Sequence, residues 1–225
     1  MEAQEDDKTM ISKKSKISRK FENSSQIKAI LFDMDGVLLS SFEAWLRLFN
    51  KTLKHFGKKE ITKKEFIEKA WAQDIGIVAN RFFKGIPIKE IVNYYFYHFL
   101  DCRDFVFTEK DVYDVLNKLK KKGLKLVVVS NTYHRLLLRI LNCGNLEYNF
   151  NLVVGADDVK KGKPEPDMLL YACKKLKIKP EEAAMVGDTE YDMIAAKKAK
   201  CLAIGFKTKG DKRIESLKEL LRLVR

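Results

Sequence analysis

A series of short apolar runs without polar alternation constrains this 225-residue chain more than any other feature. They span Lys28 to Asp33, Leu124 to Val129, Leu152 to Val154, Ala183 to Val186 and Cys201 to Ile204. A strand with one solvated face alternates apolar and polar residues. A short run that does not alternate suits a strand buried on both faces, as in a parallel sheet covered by helices. Helical patterns fall between and after the runs, at about 109–122, 133–142, 167–176, 190–199 and 212–224. The first of these ends in Lys120-Lys121-Lys122-Gly123, with cations at the helix C-terminus and glycine just beyond it. Strand and helix in alternation imply an α/β fold, a Rossmann-like parallel sheet with helices on both faces.

One stretch breaks the rhythm. From about residue 42 to residue 107 there is helical periodicity without a convincing strand. Phe42, Trp45, Leu46, Phe49 and Leu53 recur at three- and four-residue spacing, which makes one buried helical face. Gly57, Gly76, Gly85 and Pro87 punctuate further short helices. The aromatic cluster of Tyr94, Tyr95, Phe96, Tyr97 and Phe99 reads as the core of this unit rather than as a ligand cage. The expected organisation is a disordered tail over 1–26, a catalytic core from 27–41 and 108–225, and an inserted α-helical unit over 42–107.

Composition narrows the function classes. A 46% hydrophobic fraction is ample for a core, and 33% charged residues indicate a soluble surface. No apolar run approaches the roughly 18 residues of a spanning helix, and the polar N-terminus does not resemble a secretory leader. We expect a cytoplasmic protein with no membrane partner. Cys102, Cys143, Cys173 and Cys201 are too widely spaced for a zinc site and read as buried thiols. The formal net charge of +13 admits phosphorylated substrates or nucleic acid. The lysines, however, are scattered over helices with no aromatic interleaving, so a solvated basic surface is preferred and a nucleic-acid partner is kept as an alternative.

In an open α/β sheet, ligands bind outside the carboxyl ends of the strands. The first run is followed by Asp33-Met34-Asp35-Gly36-Val37-Leu38 and the second by Ser130-Asn131. The third leads into a loop ending in Gly162-Lys163-Pro164-Glu165-Pro166, and the fourth into Gly187-Asp188-Thr189-Glu190-Tyr191-Asp192. Paired carboxylates, a hydroxyl beside an amide, and an ammonium suit phosphoryl transfer, where positioning and charge neutralisation dominate. Carboxylates crowded in this way need a cation among them. An oxygen-only donor set with no His or Cys fits Mg²⁺ rather than zinc.

These four motifs, their order and the helical insert between the first two resemble the haloacid dehalogenase superfamily, over about residues 27–221. The resemblance implies a catalytic trio of Asp33, Asp35 and Lys163. Asp33 would attack phosphorus and form an aspartyl-phosphate. Asp35 would act as acid and then base, and Lys163 would neutralise charge. Ser130 and the backbone near Asn131 would bind phosphoryl oxygens with Lys163. Asp33, Asp35 through its carbonyl, Asp188 and Asp192 would hold or surround Mg²⁺. Arg81 and Lys84, beside Gly85-Ile86-Pro87, resemble the cap loop that closes over ligands and would meet a second anionic group.

The implied activity is hydrolysis of a small phosphorylated metabolite, phosphoglycolate-like or a sugar phosphate. Two alternatives remain: a phosphomutase of the β-phosphoglucomutase type, or a basic nucleic-acid-associated protein on the same fold. The mutases carry a histidine about ten residues after the second aspartate, where this chain has Trp45. Related phosphatases often carry Asp-Ser shortly after the first motif, where this chain has Ser40-Ser41. The hydrogen bonding of the loop entering the insert is therefore expected to differ.

Overall fold

The computed structural model describes residues 27–224. The tail expected over 1–26 lies outside the described residues. The chain opens with β1 (Ala29–Phe32), the short β2 (Leu39–Ser40), and then α1 (Phe42–His55), α2 (Lys63–Lys69), α3 (Ile75–Phe82) and α4 (Ile88–His98). A 3₁₀ segment (Phe99–Phe105) leads into β3 (Phe107–Thr108), which pairs antiparallel with β2. There follow α5 (Val112–Lys121), β4 (Lys125–Val129), α6 (His134–Cys143), β5 (Leu152–Val154), α7 (Asp167–Leu176), β6 (Ala183–Gly187) and α8 (Glu190–Ala199). The chain closes with β7 (Leu202–Phe206), β8 (Lys212–Ile214) and α9 (Leu220–Leu223).

The main sheet has the order β5-β4-β1-β6-β7-β8, and every pairing in it is parallel. Each strand serves two cores because successive side chains point to opposite faces. Ile30 and Phe32 of β1 join Leu126, Val128 and Val186 on the face covered by α5 and α6. Ala29 and Leu31 join Val127, Met185 and the α7–α8 residues Met168, Leu169 and Ala195 on the other. That double burial is the physical reason the runs lack polar alternation. A fully buried Leu or Phe side chain stabilises the fold by about 1.5–3 kcal/mol, so the central strand is where truncation should cost most.

The end of the chain departs from the sequence expectation. The helix expected over 212–224 is instead the edge strand β8, a 3₁₀ turn and the four-residue α9. Lys212-Arg213-Ile214 reads exposed, exposed, buried beside β7. Lysine and arginine on a short outer strand also suit an unpaired edge. The helical turn starts only after Ser216, whose N–H, like its hydroxyl, bonds Glu219. The expected start of α5 at Glu109 likewise moves to Val112, because Asp111 has φ 66° and cannot continue a right-handed helix. The two-residue ribbon β2–β3, which joins the chain entering the helical unit to the chain leaving it, carries too few residues to show any periodicity.

Strand order positions the site. β4, β1 and β6 are neighbours, so the residues following them emerge side by side at one sheet edge. The order reverses about β1, the kind of point at which open α/β sheets bind ligands.

Candidate active site

Asp33 follows the last residue of β1, and its N–H donates to the carbonyl of Val186 at 2.9 Å. The backbone is thus still tied to the sheet when the carboxylate leaves it. Asp33 is 7% exposed and Lys163 5%. The Lys163 Nζ donates to Asp33 Oδ1 at 2.7 Å, to Asp192 Oδ1 at 2.6 Å and to the Val129 carbonyl at 3.2 Å. Three acceptors satisfy an ammonium. Burial alone would lower the Lys163 pKa, but Asp192 and Asp33 more than reverse this, and the group is held as a cation. Burial raises Asp33, Lys163 opposes that rise, and the neighbouring carboxylates of Asp192, Asp188 and Asp35 add to it.

Asp192 shows why sequence spacing alone understates a residue. It sits in the first turn of α8, wholly buried, and its Oδ2 accepts from the Thr189 N–H (3.1 Å) and hydroxyl (2.6 Å). With Oδ1 on Lys163, both oxygens are engaged, so Asp192 locks the helix terminus to the buried ammonium. Asp188 differs. Its Oδ1 is buried with no partner among the described residues. Burial first, then the charge of Asp192, pushes its pKa up to about 7.

Oxygens of Asp33, Asp188 and Asp192 lie within 4.8 Å of one another. Four carboxylates, counting Asp35, surround one ammonium. An orphaned buried oxygen in an excess of negative charge is the environment a hard divalent cation relieves. The residues therefore fit Mg²⁺.

Gly36 makes the approach possible. Its φ is 81°, and a Cβ there would overlap the Asp188 carboxylate. Both the turn and the close contact require glycine.

Asp35 is held from a direction the motifs did not reveal. Its Oδ1 accepts from the Ser41 hydroxyl and from Trp45 Nε1 (3.1 Å). Ser41 immediately precedes α1 and Trp45 lies in its first turn. Burial raises the Asp35 pKa and these two bonds oppose it. The departure noted at Ser40-Ser41 is thus the hydrogen bond itself. The aromatic residue at the histidine position belongs to the same clamp.

Ser130, 3% exposed, follows β4, and its Oγ accepts from the Thr132 N–H at 3.2 Å. The Asn131 side chain bonds the loop that carries Lys163. Its amide donates to the Lys163 carbonyl (2.9 Å) and the Ala72 carbonyl (3.3 Å), and its oxygen accepts from the Lys163 N–H (2.8 Å). It fastens the lysine loop to the strand end and to the helical unit.

Arg81 and Lys84 do not line the cavity over Asp33. Arg81 donates to the Lys69 carbonyl and Gln73, tying α2 to α3, and Lys84 is exposed. The cavity of about 110 Å³ instead receives Trp45, Trp71, Gln73, Tyr95, Tyr133 and Tyr191 beside Asp33, Asp35 and Lys163. Tyr95 falls within the cluster read as core, and only its place on α4 reveals that it also faces this space. Periodicity separates buried from exposed helical faces but does not distinguish a core from a cavity wall.

The comparisons with known proteins agree with this geometry. The family model of haloacid dehalogenase-like hydrolases matches residues 30–206. A phosphoglycolate phosphatase of Aquifex aeolicus is 34% identical over 175 residues, covering 77% of this chain and 81% of that protein. A pyrophosphatase PpaX of Bacillus thuringiensis is 30% identical over 199 residues, covering 86% and 90%. Among solved structures, CbbY of Rhodobacter sphaeroides in complex with phosphate superposes with a TM-score of 0.77 at 25% identity, over 87% of this chain and 96% of that one.

The chain belongs to the haloacid dehalogenase-like hydrolases. Within that family it is an enzyme of the phosphatase class. No helix among the described residues is long and apolar enough to cross a membrane.

Proposed function

We propose that this chain is a Mg²⁺-dependent phosphomonoesterase for small phosphorylated metabolites, working through an aspartyl-phosphate on Asp33. The observation that carries the reading is the buried Asp33 carboxylate. One oxygen is fixed by Lys163, and the other makes no hydrogen bond among the described residues at the cavity floor. That free oxygen attacks phosphorus as the ester bond breaks, and the leaving oxygen takes a proton from Asp35. Asp35 then accepts a proton from water, which attacks the aspartyl-phosphate and releases phosphate and the Asp33 carboxylate. Lys163 and the Ser130 hydroxyl neutralise and orient the phosphoryl oxygens. Asp33, Asp188 and the Asp35 carbonyl would hold Mg²⁺, with Asp192 beside them ordering Lys163. The bound ion would supply charge neutralisation at the phosphoryl group. The helical unit over 42–107 serves as a cap, since its Trp45 and Tyr95 line the same cavity as Asp33.

The relatives' names put phosphoglycolate and pyrophosphate on the first panel, with sugar phosphates added. The test is phosphate release from that panel with Mg²⁺ or EDTA, for wild type and Asp33→Asn. Release that needs Mg²⁺ and falls by at least about 10³-fold in the variant is expected for loss of a nucleophile. Undiminished release by Asp33→Asn would sink the mechanism. Nothing in the geometry favours a mutase: Trp45, at the histidine position, donates to Asp35 and has no proton to exchange there.

A further inference from the structure

Resting on the phosphatase reading, the cavity also says which esters it suits. Among the residues lining it, the charged ones are Asp33, Asp35 and Lys163, all of them catalytic. Lys163 is already balanced by Asp33 and Asp192. No cation is left on this wall for a second anionic group, whether a carboxylate or another phosphate. An anion carried there would be buried unpaired, which is costly.

One wall of the cavity, which reaches Asp35 through Trp45, is aromatic. Trp45 meets Tyr95 edge-on at 5.8 Å between centroids, and Phe49 meets Phe66 at 5.2 Å. All four line the cavity, with Trp71 at its side. Tyr95 is 5% exposed and belongs to this ring wall.

A second groove lies past Gln73 and Tyr191, and it does contain Lys160 and Lys161. Two observations turn the leaving group away from it. Both lysines are exposed, so an anion meeting them would form only solvated pairs that are worth little. The residue that would protonate the leaving oxygen is Asp35, and Asp35 is held by Trp45 of the aromatic wall. A leaving oxygen that reaches Asp35 carries its substituent toward Trp45 and Tyr95.

We infer that this cavity takes an uncharged, ring-bearing leaving group, so the preferred substrates are phosphomonoesters of aromatic or heteroaromatic alcohols rather than of hydroxy acids or a second phosphate. The test compares two isosteric phosphonates that are not hydrolysed, 2-phenylethylphosphonate and 3-phosphonopropionate, which differ in carrying a ring or a carboxylate. Each is titrated calorimetrically into the full-length chain with Mg²⁺, and methylenediphosphonate is added as the two-phosphate probe. The ring phosphonate should bind at least about tenfold tighter than either competitor carrying a second anionic group, as expected from burying a benzyl-sized surface. Equal or tighter binding of 3-phosphonopropionate or methylenediphosphonate would overturn the inference and hand the leaving group to the Lys160–Lys161 groove. Failure of all three to bind would overturn it as well.

Phosphate release from benzyl phosphate and phosphoglycolate is measured in parallel. No turnover of either ester, with the ring phosphonate still favoured, would count against hydrolysis and leave the specificity standing. As a second arm, Ile75→Lys places an ammonium on the cavity wall and should shrink the tenfold preference toward parity. An unchanged ranking in the folded variant would show that the ring sits elsewhere and would also overturn the assignment.

Discussion

Replacing Lys163 by Met tests whether the buried ammonium holds the site together or only decorates it. Methionine keeps an unbranched stem of similar reach, so packing changes little. The charge is what goes. Lys163 is bonded to Asp33 and Asp192, which are 7% and 0% exposed. Removing one member of a buried ion pair leaves its partners uncompensated and costs about 3–5 kcal/mol, whereas a solvated surface pair is worth about 0–1 kcal/mol. For a domain of this size, where each kcal/mol moves Tm by about 2–4 °C, the metal-free variant should melt roughly 6–20 °C below wild type.

The loss should depend on pH, because the carboxylates can neutralise. Lys163 now restrains the burial-driven rise in the Asp33 pKa. Without it that pKa climbs further. A carboxylate whose folded pKa is raised contributes stability below its unfolded value of about 3.8, and that stability is lost as pH rises through the folded value. In wild type, Lys163 has a raised pKa, so its contribution is fully present below its unfolded value of about 10.5. The deficit of the variant should therefore be small near pH 4 and full at pH 8. Urea unfolding in EDTA at both pH values measures it. The double variant Lys163→Met/Asp33→Asn should recover part of the loss, because the orphaned charge has gone too. A deficit below about 1 kcal/mol, one equal at both pH values, or a double variant worse than the sum of the singles would refute the reasoning.

Two further outcomes follow from the same geometry. Ser41→Ala removes a hydrogen bond that opposes the raised pKa of Asp35. The alkaline limb of the kcat/KM profile should accordingly move to higher pH while KM changes little, and an unmoved limb would detach Ser41 from the acid. Asp188 is pushed up to about 7 without metal, so metal-free stability from this group should fall between pH 4 and pH 7. Added Mg²⁺ should then raise Tm more at pH 8 than at pH 5, and an equal shift at both would argue against Asp188 as a ligand.

The sheet could be read in advance because double burial leaves its mark on every residue of a strand. β1, β4, β5, β6 and β7 each contain an apolar run, and chemistry-bearing residues stand where those runs stop. β8 could not be read this way. As an edge strand it spends Lys212 and Arg213 on solvent, and three residues cannot distinguish a strand from the start of a helix. Asp33, Asp35, Ser130 and Asp188 resembled a family because each lies within a few positions of a strand end, so local order alone brings them to adjacent places.

The cap side of the site has no such shortcut. Trp45 reaches Asp35 across ten positions and Asn131 reaches Ala72 across 59, so both contacts depend on how helices pack onto the sheet. The same limit explains the placement of Arg81 and Lys84. They stand beside Gly85, which has φ 85°, but the end of α3 aims Arg81 back at Lys69 and Gln73 rather than inward. A cationic residue near a motif attracts a substrate reading from sequence, while its fate is decided by helix rotation. Here rotation presents the aromatic face of α1 and α4 to the cavity shared with Asp33, Asp35 and Lys163. On the proposed reading, the chemistry would be set by the strand ends and the choice among esters by the rings of α1 and α4.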